Sequence, residues 1–357
     1  MSARYCLLVV LAILGAVDPV HAAQRTFVAS RGLDTNPCSL AAPCRSFGTA
    51  IAQTATGGEV IVLDSAGYGA VTIAKSVSLI APSGVYAGVS VSSGDGITIN
   101  AAGATVVLRG LLINGQGGSI GVTVNQVARL RIEGCTISNM NGNGVVNFAA
   151  GSEMIILDTI VRDNGGTGIG IAADSSVVLD HVRSEHNFFD GFYIVPATTE
   201  ARAMIIDSIF AYNGVNGISI DSAGGAKTYA QVERSTMSSN GTNGLKAVSS
   251  LSGAQAIVML ARNAINGNAG DGALFSGSSP GFVFGQLSEN AMQANKGNGI
   301  YANLAAVIVS ASANTLSASG SFDFKCDDPA NSFYSHGNND AATFSSVGGC
   351  LKTIGLI

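Results

Sequence analysis

Along most of the chain a glycine followed by an apolar residue returns at a steady interval. The series is Gly96-Ile97, Gly121-Val122, Gly144-Val145, Gly168-Ile169, Gly191-Phe192, Gly217-Ile218, Gly244-Leu245, Gly272-Ala273 and Gly299-Ile300, with spacings of 23 to 28 residues. Short runs between these marks carry apolar residues at every second position. The pairs read as facing inward are Leu130/Ile132, Ile155/Leu157, Val177/Leu179, Met204/Ile206 and Ala230/Val232, and, after the glycines, Ile169/Ile171, Phe192/Ile194 and Ile218/Ile220. A period of two over so few residues predicts strands rather than helices.

A second mark keeps phase with the first. Asn stands four residues before the glycine at Asn164, Asn187, Asn213, Asn240, Asn268 and Asn295, and the residue just before the glycine is Asn or Asp at Asn143, Asp190, Asn216, Asn243, Asp271 and Asn298. In a parallel stack, equivalent residues of neighbouring strands lie about 4.8 Å apart. At that spacing Asn amides can bond to one another along a ladder. Gly and Asn both tolerate left-handed backbone angles, which suits sharp bends between short strands. A β-sandwich would explain the strands but not this phase-locking. The predicted fold is therefore all-β: a single right-handed parallel β-helix of about nine or more coils, each of three short strands that bury an inward face only by stacking.

The ends break the pattern. Residues 1–23 have the form of a secretory leader: Arg4, an apolar stretch from Leu7 to Val17 too short to span a bilayer, and small residues around Ala22-Ala23. Residues 24–60 are read as an N-terminal cap containing Cys38 and Cys44, with a short helix within Arg45–Thr56 that places Phe47, Ile51 and Ala55 on one face. Residues 61–320 form the β-helix, and 321–357, bracketed by Cys326 and Cys350, form a second cap. Local pairings Cys38–Cys44 and Cys326–Cys350 are expected in an oxidising compartment. Cys135 is left over as a small buried residue.

Composition narrows the function classes. Only 11% of the residues are charged, the net charge is −5, Gly numbers 46 and Trp is absent. With no run of Lys or Arg, nucleic acid is not an expected partner. No segment after the leader is apolar for long enough to cross a membrane. A secreted or periplasmic protein is expected.

The segment from Thr26 through Gly32, Asp34, Asn36, Pro37 and Pro43, the run Gly57-Gly58-Glu59-Val60-Ile61-Val62-Leu63 with Gly67-Tyr68, and the Asn-Gly-rich coils from 121 to 303 together resemble the secreted β-helix proteins of the pectin-lyase-like superfamily. The resemblance covers roughly residues 26–320 and implies a groove that binds sugars near the middle of the solenoid. The motifs of its characterised enzymes do not occur: Arg131-Ile132 is followed by Glu133 rather than Lys, and a Trp-containing lyase motif is impossible here.

Two constellations could carry chemistry. The first is an acidic column, Glu133, Asp158, Asp180, Asp207 and Glu233, read as following the inward apolar residue in successive coils. Asp158, Asp180 and Asp207 could favour a bound cation such as Ca²⁺. The plainer reading is a solvated polar face with Arg131, Arg162, Arg183 and Arg234 interleaved. The second is the coil holding Asp180, His181, Arg183, Glu185, His186 and Asp190, where two of the chain's four His residues fall. His181, Arg183, Glu185, His186 and Asp190 are the candidate catalytic groups. An arginine would neutralise a uronate, and a base and an acid would flank the bond. Arg162, Phe189, Tyr193 and Tyr212 are the candidate sugar contacts. The expected function is binding of a polysaccharide or cell-surface glycan; the alternatives are a lyase or hydrolase of acidic glycans and a purely structural solenoid. Outward-facing Phe188, Phe189, Tyr193 and Tyr212 would favour sugar contact.

Overall fold

The computed structural model describes residues 23–250, 253–278 and 280–354. The leader at 1–22 lies outside them. The chain winds through about 11 turns of a parallel solenoid. Each complete turn contributes one strand to each of three sheets; these contain 14, 12 and 11 strands because the chain ends add strands to the first and third sheets alone, and neighbours in every sheet come from successive turns. In one turn the chain passes from the 14-strand first sheet (Glu153–Leu157) to the 11-strand second sheet (Ile160–Arg162), and then to the 12-strand third sheet (Ile169–Ile171).

Inward side chains repeat in register from turn to turn. Val122 pairs with Val145, Val145 with Ile169, Ile169 with Phe192 and Phe192 with Ile218, and all are fully buried. In the second sheet the inward position passes from Ile137 to Val161 to Ser184 to Phe210. The Ser184 hydroxyl, buried among apolar residues, donates to Gly191 O at 2.7 Å, so no polar group is orphaned there.

The expected Asn ladder forms. The Nδ2 of Asn164 donates to Asn187 Oδ1 at 2.9 Å, Asn187 to Asn213 at 3.0 Å, Asn213 to Asn240 at 3.1 Å, Asn240 to Asn268 at 2.9 Å and Asn268 to Asn295 at 2.8 Å. Each acceptor also takes the backbone N–H of the preceding Asn, which satisfies a buried donor at the bend. Two further ladders accompany it. At the bend between the first and second sheets, Asn263, Asn290, Asn314 and Asn339 bond in sequence through their amides at 2.9–3.0 Å. At the bend into the third sheet, Asn216, Asn243, Asp271 and Asn298 each donate to the turn before, opposite in sense to the first ladder.

The glycine series has a different cause from the one expected. None of these glycines has a positive φ. A Cβ on Gly217 would instead lie 2.7 Å from Gly244 O and 2.8 Å from Asn240 Nδ2, and Gly191 and Gly244 are as tightly enclosed. The glycines let backbones of successive turns approach closely. The left-handed angles fall on other residues: Asp158, His181, Asp207, Arg234 and Arg262 at one corner, and Asn139, Asp163, His186 and Tyr212 at another.

The inward phase differs from the sequence reading in two strands. Met154 and Ile156, not Ile155 and Leu157, face the core, and Ala203 and Ile205, not Met204 and Ile206. Both strands are apolar at four consecutive positions, so alternation leaves no trace in the sequence and the neighbouring strands set the phase.

The helix spans Phe47–Gln53, buries Phe47, Ala50 and Ile51, and is capped by Ser46, whose hydroxyl accepts from Thr49 N–H; Ala55 belongs to the following strand. Cys38–Cys44 and Cys326–Cys350 are disulfides, with Cα atoms 4.6 and 6.3 Å apart, and Cys135 is buried and free. The segment read as a second cap adds further parallel strands, Phe324–Cys326, Ser332–His336, Phe344–Ser346 and Leu351–Ile354, to the existing sheets.

Asn240→Asp replaces a buried ladder donor with a carboxylate facing Asn268 Oδ1, and should destabilise the protein by about 1–3 kcal/mol or more; Asn213→Asp should do the same. Gly217→Ala should also lower the melting temperature, because its Cβ meets the Gly244 carbonyl and the Asn240 amide, which the ladder holds in place. Urea or thermal unfolding measures all three, and wild-type stability in the Asn variants would argue against an interior ladder.

Candidate functional site

The ionisable coil that stood out in the sequence wraps around one short strand of the second sheet, Arg183–Glu185, and the structure divides its residues between the two flanking corners. Asp180 ends a strand of the first sheet, and His181 occupies the left-handed corner after it. His186 occupies the next left-handed corner, beyond the strand. The two histidines therefore stand at opposite ends of the strand and do not converge on one bond.

At the first corner, His181 Nδ1 lies 2.6 Å from Asp180 Oδ1. The hydrogen bond to Asp180 raises the His181 pKa, and the charges of Asp180, Asp207 and Asp158 add to the effect. Asp207 is held by Arg234 through two bonds of 2.9 Å, which lower the pKa of its carboxyl. Arg234 continues to Glu233, and Glu233 to Arg262. The five acidic residues do not form one column. Glu133, Asp180 and Glu233 share a register position at the strand end with Leu157 and Ile206, whereas Asp158 and Asp207 sit one residue later on the corner. The phase shift of the two apolar strands produces this split.

Ligand atoms of Asp180, His181 and Asp207 lie within 4.8 Å of one another, and Asp158 is not among them. Ca²⁺ takes six to eight oxygens. Here Arg234 already engages both oxygens of Asp207 and His181 engages Asp180, so a hard cation would have to displace both partners.

On the strand itself, Arg183 makes a forked contact with Glu185 at 2.9 and 3.1 Å, and Glu185 pairs in register with Arg162. Arg162 is bound to Asp163 at 2.5 Å. Both arginines expected to meet a uronate are thus paired within the protein.

The second corner gathers aromatic rings. His186 and Tyr212 occupy equivalent left-handed positions on successive turns and stack with centroids 5.0 Å apart. Phe188 and Phe189 follow on the same bend, edge to face at 5.1 Å. Phe188, Phe189 and Tyr212 are 67%, 49% and 56% exposed. The turns on either side carry Gly165 and Gly214 at the position of Phe188, so no neighbouring side chain covers that ring.

Beyond the bend, Asp190 belongs to a ladder, accepting from the backbone N–H and Nδ2 of Asn216 at 2.9 Å each. Burial raises its pKa, against the Asn216 bonds and the charge of Lys246. Tyr193 is half-buried on the outer face of the third sheet, and its pKa is raised by burial and by the charges of Asp221 and Asp190. The sequence reading named Tyr193 and Asp190 but missed Asp221 and Lys246, which lie one and two turns further along and are joined to them only by the stacking.

The His181 ring should titrate above its ordinary value of 6.5, and Asp180→Asn should move it back toward that value. The folded state holds this proton more tightly than the unfolded chain does. Its stabilising contribution is therefore present at low pH and lost as pH rises through the elevated pKa. Proton NMR of the imidazole measures both, and an unshifted wild-type ring would contradict the pairing.

Among the described residues no helix is long and apolar enough to cross a membrane. The comparison with curated proteins gives no match. Among solved structures, the chain resembles the A-module of the Azotobacter vinelandii mannuronan C-5 epimerase AlgE4, at 17% identity over 84% of this chain and 91% of that one, with a TM-score of 0.63. It also resembles the periplasmic alginate epimerase AlgG, at 14% identity over 84% and 77% with a TM-score of 0.53, and the pectate lyase Pel9A, at 14% over 92% and 78% with a TM-score of 0.52. These likenesses are of fold. The family model described as "Right handed beta helix region" matches residues 52–201 and 95–257, together more than half of the chain. With the turns, registers and ladders described above, this match places the chain in the right-handed parallel β-helix family, within the pectin-lyase-like group of folds.

Proposed function

We propose that this chain is a glycan-binding protein of the extracellular or periplasmic space, and that a polysaccharide lies across the bend between the second and third sheets. The observation that carries the reading is the open aromatic corner of Phe188, Phe189 and Tyr212, in a chain with few aromatic residues. Exposed rings offer flat apolar faces to the C–H faces of sugars, with a polar edge where the ring is Tyr. The stacked turns repeat along the axis as a polymer does, which suits an extended chain better than a single small molecule. Structures of similar fold include a mannuronan epimerase and a pectate lyase, which supports a carbohydrate partner at the level of the family. The two disulfides support an oxidising compartment.

The charges favour a neutral sugar surface over a uronate. Arg162 and Arg183 are already matched by Asp163 and Glu185, and the remaining contacts at this corner are rings. Binding without cleavage is the leading reading, because His181, His186 and Asp190 are held apart and two of them are engaged in structural bonds.

A panel of neutral and uronate-containing polysaccharides, read for both affinity and unsaturated or reducing-end product, separates binding from cleavage. Replacing both Phe188 and Phe189 with Ala should weaken binding by about tenfold or more with an unchanged melting curve. Unchanged affinity would rule out the aromatic corner.

A further inference from the structure

The bends between the second and third sheets place two requirements on adjacent residues. One position needs an amide that bonds along the axis, and the next has no room for a Cβ. Asn followed by Gly meets both. The chain carries ten Asn-Gly steps, and in six of them the Asn belongs to a ladder: Asn164, Asn213, Asn216, Asn240, Asn243 and Asn298. A Cβ on any of the six following glycines would lie within 2.7 Å of a backbone oxygen of a neighbouring turn. Neither residue can be exchanged without losing a bond or forcing turns apart.

Asn-Gly is also a dipeptide open to self-modification, because no Cβ keeps the Gly nitrogen from the Asn side chain. Once that nitrogen loses its proton it attacks Asn Cγ. A Cγ–N bond forms, the Cγ–Nδ2 bond breaks, and Nδ2 takes up a proton and leaves as ammonia. Water then opens the succinimide at either carbonyl, giving Asp or its isomer linked through the side chain. The net reaction consumes one water and releases one ammonia.

The fold closes this route at each ladder step. The Gly N–H is donated to a carbonyl of a neighbouring turn: Gly165 to Met140 at 2.7 Å, Gly214 to Asn187, Gly241 to Asn213 and Gly299 to Phe322 at 2.8 Å, and Gly217 to Asn243 and Gly244 to Asp271 at 3.0 Å. A nitrogen so bonded keeps its proton and faces the neighbouring turn instead of the preceding side chain. All six Asn residues are buried, so the water that would open the ring is excluded as well.

We infer that these six steps are modification sites which folding holds shut, and that a chain left unfolded at alkaline pH loses its ability to refold. Conversion at Asn213 or Asn240 removes a buried donor, as the Asp variants above do. Conversion at Asn216 or Asn298 does more. Their Nδ2 groups donate to Asp190 at 2.9 Å and Asp271 at 2.7 Å, so the product sets two carboxylates face to face. Steps outside the ladders tolerate Asp: Asn141 is exposed, and Asp at 266 would still accept from Gln293 N–H, as Asn266 Oδ1 does at 2.9 Å.

The test holds the full chain, disulfides intact, in concentrated guanidinium chloride at mildly alkaline or mildly acidic pH, and in alkaline buffer without denaturant. Samples taken over time are refolded, separated into refolded and unrefolded fractions, and peptide-mapped for Asp and its isomer. The refoldable fraction should fall with time only in alkaline denaturant, with release of ammonia. Without denaturant the ladder steps should convert at least about tenfold more slowly. Chains that fail to refold should carry conversion in the ladders, whereas Asp at Asn141 and Asn266 should appear in both fractions. Thiol exchange by Cys135 would not sort chains by their ladder sites. Ladder steps that convert equally fast in the folded chain, a refolding yield indifferent to the alkaline hold, or ladder conversion equally common in refolded chains would each overturn the inference.

Discussion

The structure depends on close axial contact between successive turns at the glycine bends. There a backbone carbonyl from one turn fills the space a Cβ would need in the turn before, and an Asn amide bonds across the same gap. Parallel strands cannot be closed by tight hairpins, so every coil must bend three times within 23 to 28 residues. The bends strand buried N–H groups, and the ladders satisfy them. Without glycine at that step the turns would separate, and the inward columns would lose the contacts that bury them. Asn is the suitable partner because one amide both donates and accepts, so a column of identical residues bonds indefinitely; the oppositely directed ladder can admit Asp190 and Asp271 where only an acceptor is needed.

The same scaffold determines where chemistry can be displayed. Side chains in the strands of each sheet either enter the core or stand in flat rows, whereas residues at left-handed corners sit at the edges between faces. His181, Asp207, His186 and Tyr212 all occupy such corners. Asn, Asp and His are over-represented among residues that tolerate this conformation, so the corners can carry polar function at modest strain. The neighbouring turn then decides what each group meets. His181 meets carboxylates and becomes part of an ion-pair chain; His186 meets a ring and stacks. Two histidines that look equivalent in the sequence acquire different environments from a difference of one corner.

The aromatic corner and the outer face of the first sheet differ in the same way. The aromatic corner is local: Phe188 projects because the turns on either side carry Gly165 and Gly214 at its position, and Phe189 follows it on the same bend. The apolar face is collective. No single strand of the first sheet would be notable, but stacking brings Ile155, Val178, Met204 and Met259 into one column.

Much of the fold was legible in the sequence. The turn length, the three-strand coil, the Asn ladder, the capping helix and both disulfides follow from residues that recur or pair over short distances, and such regularities survive in a linear text. Two kinds of information did not. The inward phase of Met154–Leu157 and Ala203–Ile206 was hidden because four apolar residues in a row fit either face equally well, and only pairing with neighbouring strands breaks the tie. From that single undetermined phase came both the false acidic column and the unnoticed apolar face. Proximity between turns was hidden as well: Asp221 and Lys246 reach the neighbourhood of Tyr193, and Arg234 reaches Asp207, over more than 20 residues of chain. The linear order of this protein determined which residues repeat; the stacking of its turns decided which of them face each other, because lateral contacts about 4.8 Å apart join residues that the chain itself keeps a full coil away.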